Sequence, residues 1–216
     1  FTKEVSNASH FADVLAAASA NSNTNVAMLG ESFKYAAPVA GSLGYSVEDT
    51  AIALGLMASS GLKSSMAGSS LRTILTNLAK PTDDISDAMD YLGISLQNGD
   101  GSMKSLMDIV TDLRGAFGQC KMPMDQFQEN LAKLDEKYAN GELTEKKYNE
   151  ALADLTEKAY GAEGALKAKY AATLAGKEGM SGLLSIVSAA PEDFDKLTNA
   201  IYNSDGAAKE MAEIKM

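Results

Sequence analysis

The run from Gly41 to Leu78, GSLGYSVEDTAIALGLMASSGLKSSMAGSSLRTILTNL, constrains this chain most, because it joins two helical apolar stripes with glycines set inside and between them. Ser46 precedes Val47 with Asp49 three residues on. The Ser46 hydroxyl is therefore placed to accept from the Asp49 amide while the Asp49 carboxylate reaches back to the Ser46 amide, a helix start. Ala51, Ile52, Leu54, Met57 and Ala58 then share one face, and Gly61 stands where a left-handed cap ends the helix. A second helix begins near Ser64 or Ser65, carries Ala67, Leu71, Ile74, Leu75 and Leu78 inward, and stops before Pro81. Gly68 lies inside it, where glycine costs about 1 kcal/mol relative to alanine. The expectation is a helix pair so close that backbone meets backbone.

The rest of the chain reads as helix too. It is rich in alanine, leucine, methionine, lysine and glutamate, with no tryptophan and four prolines. At 216 residues it is long enough to bury a real core. The fold class is all-α, a compact multi-helix domain of about 10–12 short helices. Helices are expected over roughly 8–20 and 25–40, the latter kinked or shortened by Pro38, and over 83–91 after a Thr82 cap. Leu92-Gly93-Ile94-Ser95-Leu96 alternates as an extended segment would, and Ser102 opens a further helix through about Phe117. Near the end, 162–175 and 179–190 read as two small-residue helices, and Pro191 starts another whose buried face is Phe194, Leu197, Ile201 and Tyr202. A last helix follows Gly206.

Residues 123–161 have a different texture. Phe127, Leu131, Leu134 and Tyr138 make one stripe and Tyr148, Leu152, Leu155 and Ala159 another, both flanked by dense mixed charge. Asn140-Gly141 supplies the turn between them and Thr144 caps the return, so the segment is expected to form an antiparallel helical hairpin that projects from the body. The implied division is 1–118 as the first part of the helical core, 119–168 as an inserted hairpin and 169–216 as the second part.

The net charge of −10 is spread along the chain, with 7 basic and 12 acidic side chains in 1–118, 7 and 10 in 119–168, and 5 and 7 in 169–216. No basic stripe tracks a phosphate backbone, so no specific nucleic-acid binding is expected. Cys120 and His10 are each alone, which gives neither a disulfide nor a metal cluster. The turn Asn98-Gly99-Asp100-Gly101 invites a calcium-loop reading, but a loop counted from Asn98 puts Met103 at the sixth position and Ile109 at the twelfth, where glycine and glutamate are required. No metalloprotease histidine pair, nucleophile elbow or phosphate loop is present. No catalytic, metal or cofactor residue is therefore expected, and no membrane segment. Arg72, the one charge on its helix, is expected to tie a neighbouring helix C-terminus or loop carbonyls, with Glu48 or Asp49 as partners, so that Arg72→Ala would lower stability; contact with another protein is the alternative.

Gly44, Ser46, Val47, Glu48, Asp49, Ala51, Leu54, Gly55, Ala58, Gly61, Ala67, Gly68, Leu71, Arg72, Leu75 and Leu78, followed by Leu92-Gly93-Ile94 and Asp100-Gly101, closely resemble the signature region of phage tail tape measure proteins, as found in temperate phages of Gram-positive bacteria. A second block, LAGKEGMSGLLSIV, PEDFDKLTNAI and GAAKEMA, resembles the same family. Its members usually carry glycine where this chain has Ser64 and threonine where it has Ser69. The resemblance implies a structural role for the signature positions, and a parent chain that sets tail length. Such a chain lies inside the growing tube while tube subunits polymerise around it, and it leaves ahead of DNA at infection. It also implies tail tube, baseplate or tail-tip proteins and tail assembly chaperones as partners, self-association as a further contact, and a location in the tail interior after assembly in the bacterial cytoplasm. Phe1 at the start and Lys215-Met216 at the end read as the edges of an excised fragment. A helical interaction module or effector with no tail role is the competing expectation, and an enzyme a more distant one.

Overall fold

The computed structural model describes residues 8–117, 124–160 and 164–214, and among these eleven α-helices carry the chain. In order they are α1 (Ala8–Asn21), α2 (Val26–Ser42), α3 (Val47–Ser59), α4 (Ser64–Ala79), α5 (Asp83–Leu92), α6 (Leu106–Phe117), α7 (Met124–Ala139), α8 (Glu145–Tyr160), α9 (Gly164–Val187), α10 (Pro191–Tyr202) and α11 (Ala207–Ile214). The all-α expectation holds. Cys120 lies outside the described residues.

Helix α4 is the middle layer, and its small residues explain why. A side chain at Gly68 would put Cβ 2.2 Å from the Ser32 carbonyl oxygen and 2.9 Å from Tyr35 Cβ, so α2 rests its backbone on α4 there. The backbone-to-backbone contact is thus α4 with α2, not α4 with α3 as expected from their adjacency in sequence. Ser32 Oγ adds a bond to the Ser64 carbonyl at 2.7 Å. On the opposite side, the bare positions at Gly179 and Gly182 let α9 approach Ser70, Ile74 and Met57, and Ser70 Oγ donates to the Glu178 carbonyl at 2.7 Å.

Helix α9 covers both small-residue helices expected here. Gly176, at φ 66° and ψ 174°, breaks it in the middle without an intervening loop. Asn77 Nδ2 donates to the Leu174 carbonyl at 3.1 Å, satisfying an acceptor beside the break.

Several boundaries differ from the expectations, each for a local reason. Asn25 caps α2 by accepting from the Met28 amide at 2.8 Å, and the helix runs through Pro38 to Ser42 instead of being shortened, since proline removes a single donor. Thr82 sits at the N-cap of α5 with no side-chain bond, leaving Asp83 and Asp84 to meet the helix dipole. Leu96 to Lys104 forms a small β-turn pairing: Gln97 bridges Met103, Lys104 N donates to Leu96 O at 2.9 Å and Asn98 N to Ser102 O at 2.8 Å. Ser102 is engaged in that pairing, so α6 begins only at Leu106, after Ser105 and Asp108 have formed a reciprocal cap. Tyr202 is 52% exposed rather than part of the α10 buried face, which is Leu197 and Ile201.

The hairpin α7–α8 is antiparallel but does not project. Phe127, Leu131, Leu152, Leu155 and Ala159 are buried in the same core cluster as α3, α4 and α9. Two narrow apolar stripes cannot cover each other fully, and α9 takes the remainder. Gly61, at φ 93°, lets the Ala132 side chain of α7 approach to 3.0 Å of where its own Cβ would stand.

Candidate functional site

The signature acids converge on the N-terminus of α3. Ser46 takes the extended conformation of an N-cap and its hydroxyl accepts from the Asp49 amide at 3.0 Å. The reciprocal half of the expected capping box is absent, because the Asp49 carboxylate is turned into the protein. There its Oδ1 accepts a short bond from the Tyr202 hydroxyl and its Oδ2 accepts from the Met107 amide at 3.4 Å. Met107 lies in the first turn of α6, so a carboxylate from one helix neutralises the positive end of another. Beside it Glu48 Oε1 stands 2.6 Å from His10 Nε2, and His10 Nδ1 lies 3.9 Å from Asp205. Residues from α1, α3, α6 and α10 thus meet within one turn of helix. Burial, then the bond to Asp49, pushes the Tyr202 phenol up; burial, then the Asp49 charge, does the same to Tyr45.

The same device recurs one turn further along α1, where Asp13 Oδ1 accepts from the Ala208 amide at 2.9 Å and so caps α11.

The other signature residues lie outside this junction. Gly44, Gly93 and Gly101 take φ of 79°, 67° and 83° in turns, with open space around them. Gly55 admits the Leu197 side chain of α10, Gly61 admits α7, Gly68 admits α2, and Leu71 is buried in α4. Arg72 is exposed, and its expected partners Glu48 and Asp49 are engaged elsewhere. The role expected of Arg72 falls to Arg114. Its Nη1 and Nη2 donate to the carbonyls of Ile186 and Ala189 at 2.8 and 2.7 Å, at the end of α9, and its guanidinium lies 4.6 Å from the Phe194 ring centre.

A second polar centre lies where the hairpin meets α9. Asp135, 3% exposed, accepts from the Tyr148 hydroxyl at 2.5 Å and from Ser181 Oγ at 2.8 and 2.7 Å. Burial is the largest influence on this carboxyl and outweighs both bonds, pushing it up from 3.8 to about 6. Burial and the neighbouring Asp135 push the Tyr148 phenol up as well. Both donors also line a cleft of about 330 Å³ between α4, the hairpin and α9. The signal for Asp135 was present in the sequence: Phe127, Leu131 and Asp135 fall four apart on one stripe, a carboxylate at an apolar position. Tyr202 carried no such signal, since its partner is 153 residues away.

Chemically, both centres tie helices together through carboxylates that accept from hydroxyls and amides. Among the described residues no group of three or more His, Cys, Asp or Glu side chains could hold a metal ion, and no helix is long and apolar enough to cross a membrane.

The sequence model of a family described as phage-related minor tail protein matches residues 1–155, which run from the first core helices into α8. The chain is 37% identical over 213 residues to the tape measure protein of Pneumococcus phage Dp-1, covering 99% of this chain and 15% of that protein. It is 25% identical over 206 residues to the probable tape measure protein of Escherichia phage P2, covering 95% of this chain and 20% of that one. It therefore spans a fifth or less of the curated relatives it matches. No solved structure matches it.

Proposed function

The chain belongs to the phage-related minor tail protein family, and from that premise we propose that it is a folded module of a tape measure protein, a structural and assembly component of the phage tail. The observation that carries the reading is the 37% identity to a tape measure protein across 99% of the chain. In this reading the parent protein sets tail length, scaffolds polymerisation of the tail tube and leaves ahead of DNA at ejection. Its partners are tail tube and baseplate or tail-tip proteins together with assembly chaperones. It is made in the host cytoplasm and resides in the tail.

The geometry limits what this part contributes. A ruler gains about 1.5 Å per residue when helical, so 216 residues laid out as one helix would reach roughly 320 Å. Among the described residues the longest helix has 24 residues and is broken at Gly176, and helix after helix folds back onto one core. The module therefore sits on the ruler and adds little to its length. In-frame deletion of these residues from a parent phage tests this, with tail length read by electron microscopy and infectivity by plaque count. Tails of near-normal length with impaired assembly or infection are expected. Tails shortened in proportion to the residues removed would make the module part of the ruler.

A further inference from the structure

The hairpin α7–α8 is held on the body mainly through α9, and it buries a carboxylate at that contact. Asp135 stands on the inner face of α7 and receives its hydrogen bonds from one hydroxyl on α8 and one on α9. Both are neutral donors, and no salt bridge to Asp135 is found among the described residues. The titratable groups lining the adjoining cleft are Tyr138 on α7 itself, Glu145 and Tyr148 on α8, and Lys177 and Glu178 on α9. Lys177 is directed to Glu145 at 3.4 Å, at the exposed mouth. The lining that α4 contributes, Ser65, Met66 and Ser69, holds no titratable group. An ionised Asp135 in the docked hairpin is thus a buried charge stabilised by two hydroxyls, whereas in an undocked hairpin water would solvate it fully.

We infer that the hairpin is a pH-dependent latch: it docks most firmly on α9 when Asp135 is protonated, and ionisation of that carboxyl loosens it without unfolding the α2–α4 body. The sign follows from linkage. Docking raises the carboxyl from 3.8 to about 6, so between those values the docked form binds a proton that the undocked form does not. Docking is therefore strongest at acid pH, weakens as pH rises towards 6, and stays at its weakened level above that.

Hydrogen exchange of the 216-residue chain at pH 5 and pH 8, corrected for the intrinsic pH dependence of exchange, reads hairpin and body separately. From pH 5 to pH 8 the protection of α7 and α8 amides should fall about tenfold more than that of α2 and α4. Asp135→Asn, which cannot ionise, should remove that difference. A wild-type hairpin whose protection follows the body at both pH values overturns the inference, and so does a pH dependence that survives in Asp135→Asn. If Asp135→Asn does not fold, Tyr148→Phe takes its place: losing a donor to the ionised carboxylate must extend the fall in protection to higher pH, and an unchanged profile overturns the inference equally.

Discussion

Ser64 holds φ at 56°, the one non-glycine left-handed residue among those described. An L-residue with a Cβ pays roughly 1 kcal/mol there, a cost that glycine does not carry. Its carbonyl accepts from Ser32, a bond that glycine would keep. Ser64→Gly should therefore raise stability by about 0.5–1 kcal/mol, seen as a higher urea midpoint at unchanged slope. Gly68→Ala, four residues on, should do the reverse and cost about 3 kcal/mol or more, because the new Cβ meets backbone at 2.2 Å rather than a side chain able to move. Equal effects from the two changes would mean that backbone angle and packing had been assigned wrongly. That a glycine was needed at 68 was legible from its place inside an apolar helix. Which helix it admits was not, because adjacency in sequence pointed to α3 and the contact belongs to α2.

Among the elements, the ends of helices decide most of the arrangement. Asp49 meets the first turn of α6, Asp13 that of α11, and Arg114 the last carbonyls of α9, so charged side chains from other helices sit on helix termini of opposite sign. The sequence marked Arg72 for the last of these roles because it was the lone charge in a small-residue stretch. Helical phase turns Arg72 outward, whereas Arg114 follows Leu113 at the edge of a buried face and points across to α9. Arg114→Ala should therefore cost about 2–3 kcal/mol, as expected for losing charge-assisted bonds to two carbonyls. Arg114→Lys should recover part of it, since one ammonium cannot hold both acceptors and the Phe194 ring. Arg72→Ala should change stability by less than about 0.5 kcal/mol. Thermal unfolding of the three variants checks the order; a larger loss for Arg72→Ala than for Arg114→Ala would reverse the assignment.

At the scale of the whole molecule, helix content and the antiparallel hairpin followed from periodicity, turn glycines and caps, all of them local. The placing of the hairpin did not, because its stripes read alike whether they close on each other or on a third helix. The same limit hid the Asp49–Tyr202 tie, which joins the first third of the chain to its end. Burial of Phe127, Leu131 and Leu152 below 1% exposure puts the hairpin in the common core. The accessible surface, 10540 Å², is close to the roughly 9,500 Å² that scaling gives for a folded monomer of this mass. Solution scattering with a light-scattering mass should then find a monomer with a radius of gyration near 17 Å. A value above about 20 Å at monomer mass would return the hairpin to a projecting finger and leave its stripes open to a partner. A multiple of the 22.7 kDa chain mass would instead make self-association part of the module's work in the tail. The two departures are separable, because an extended monomer raises the radius without the mass and an assembly raises both.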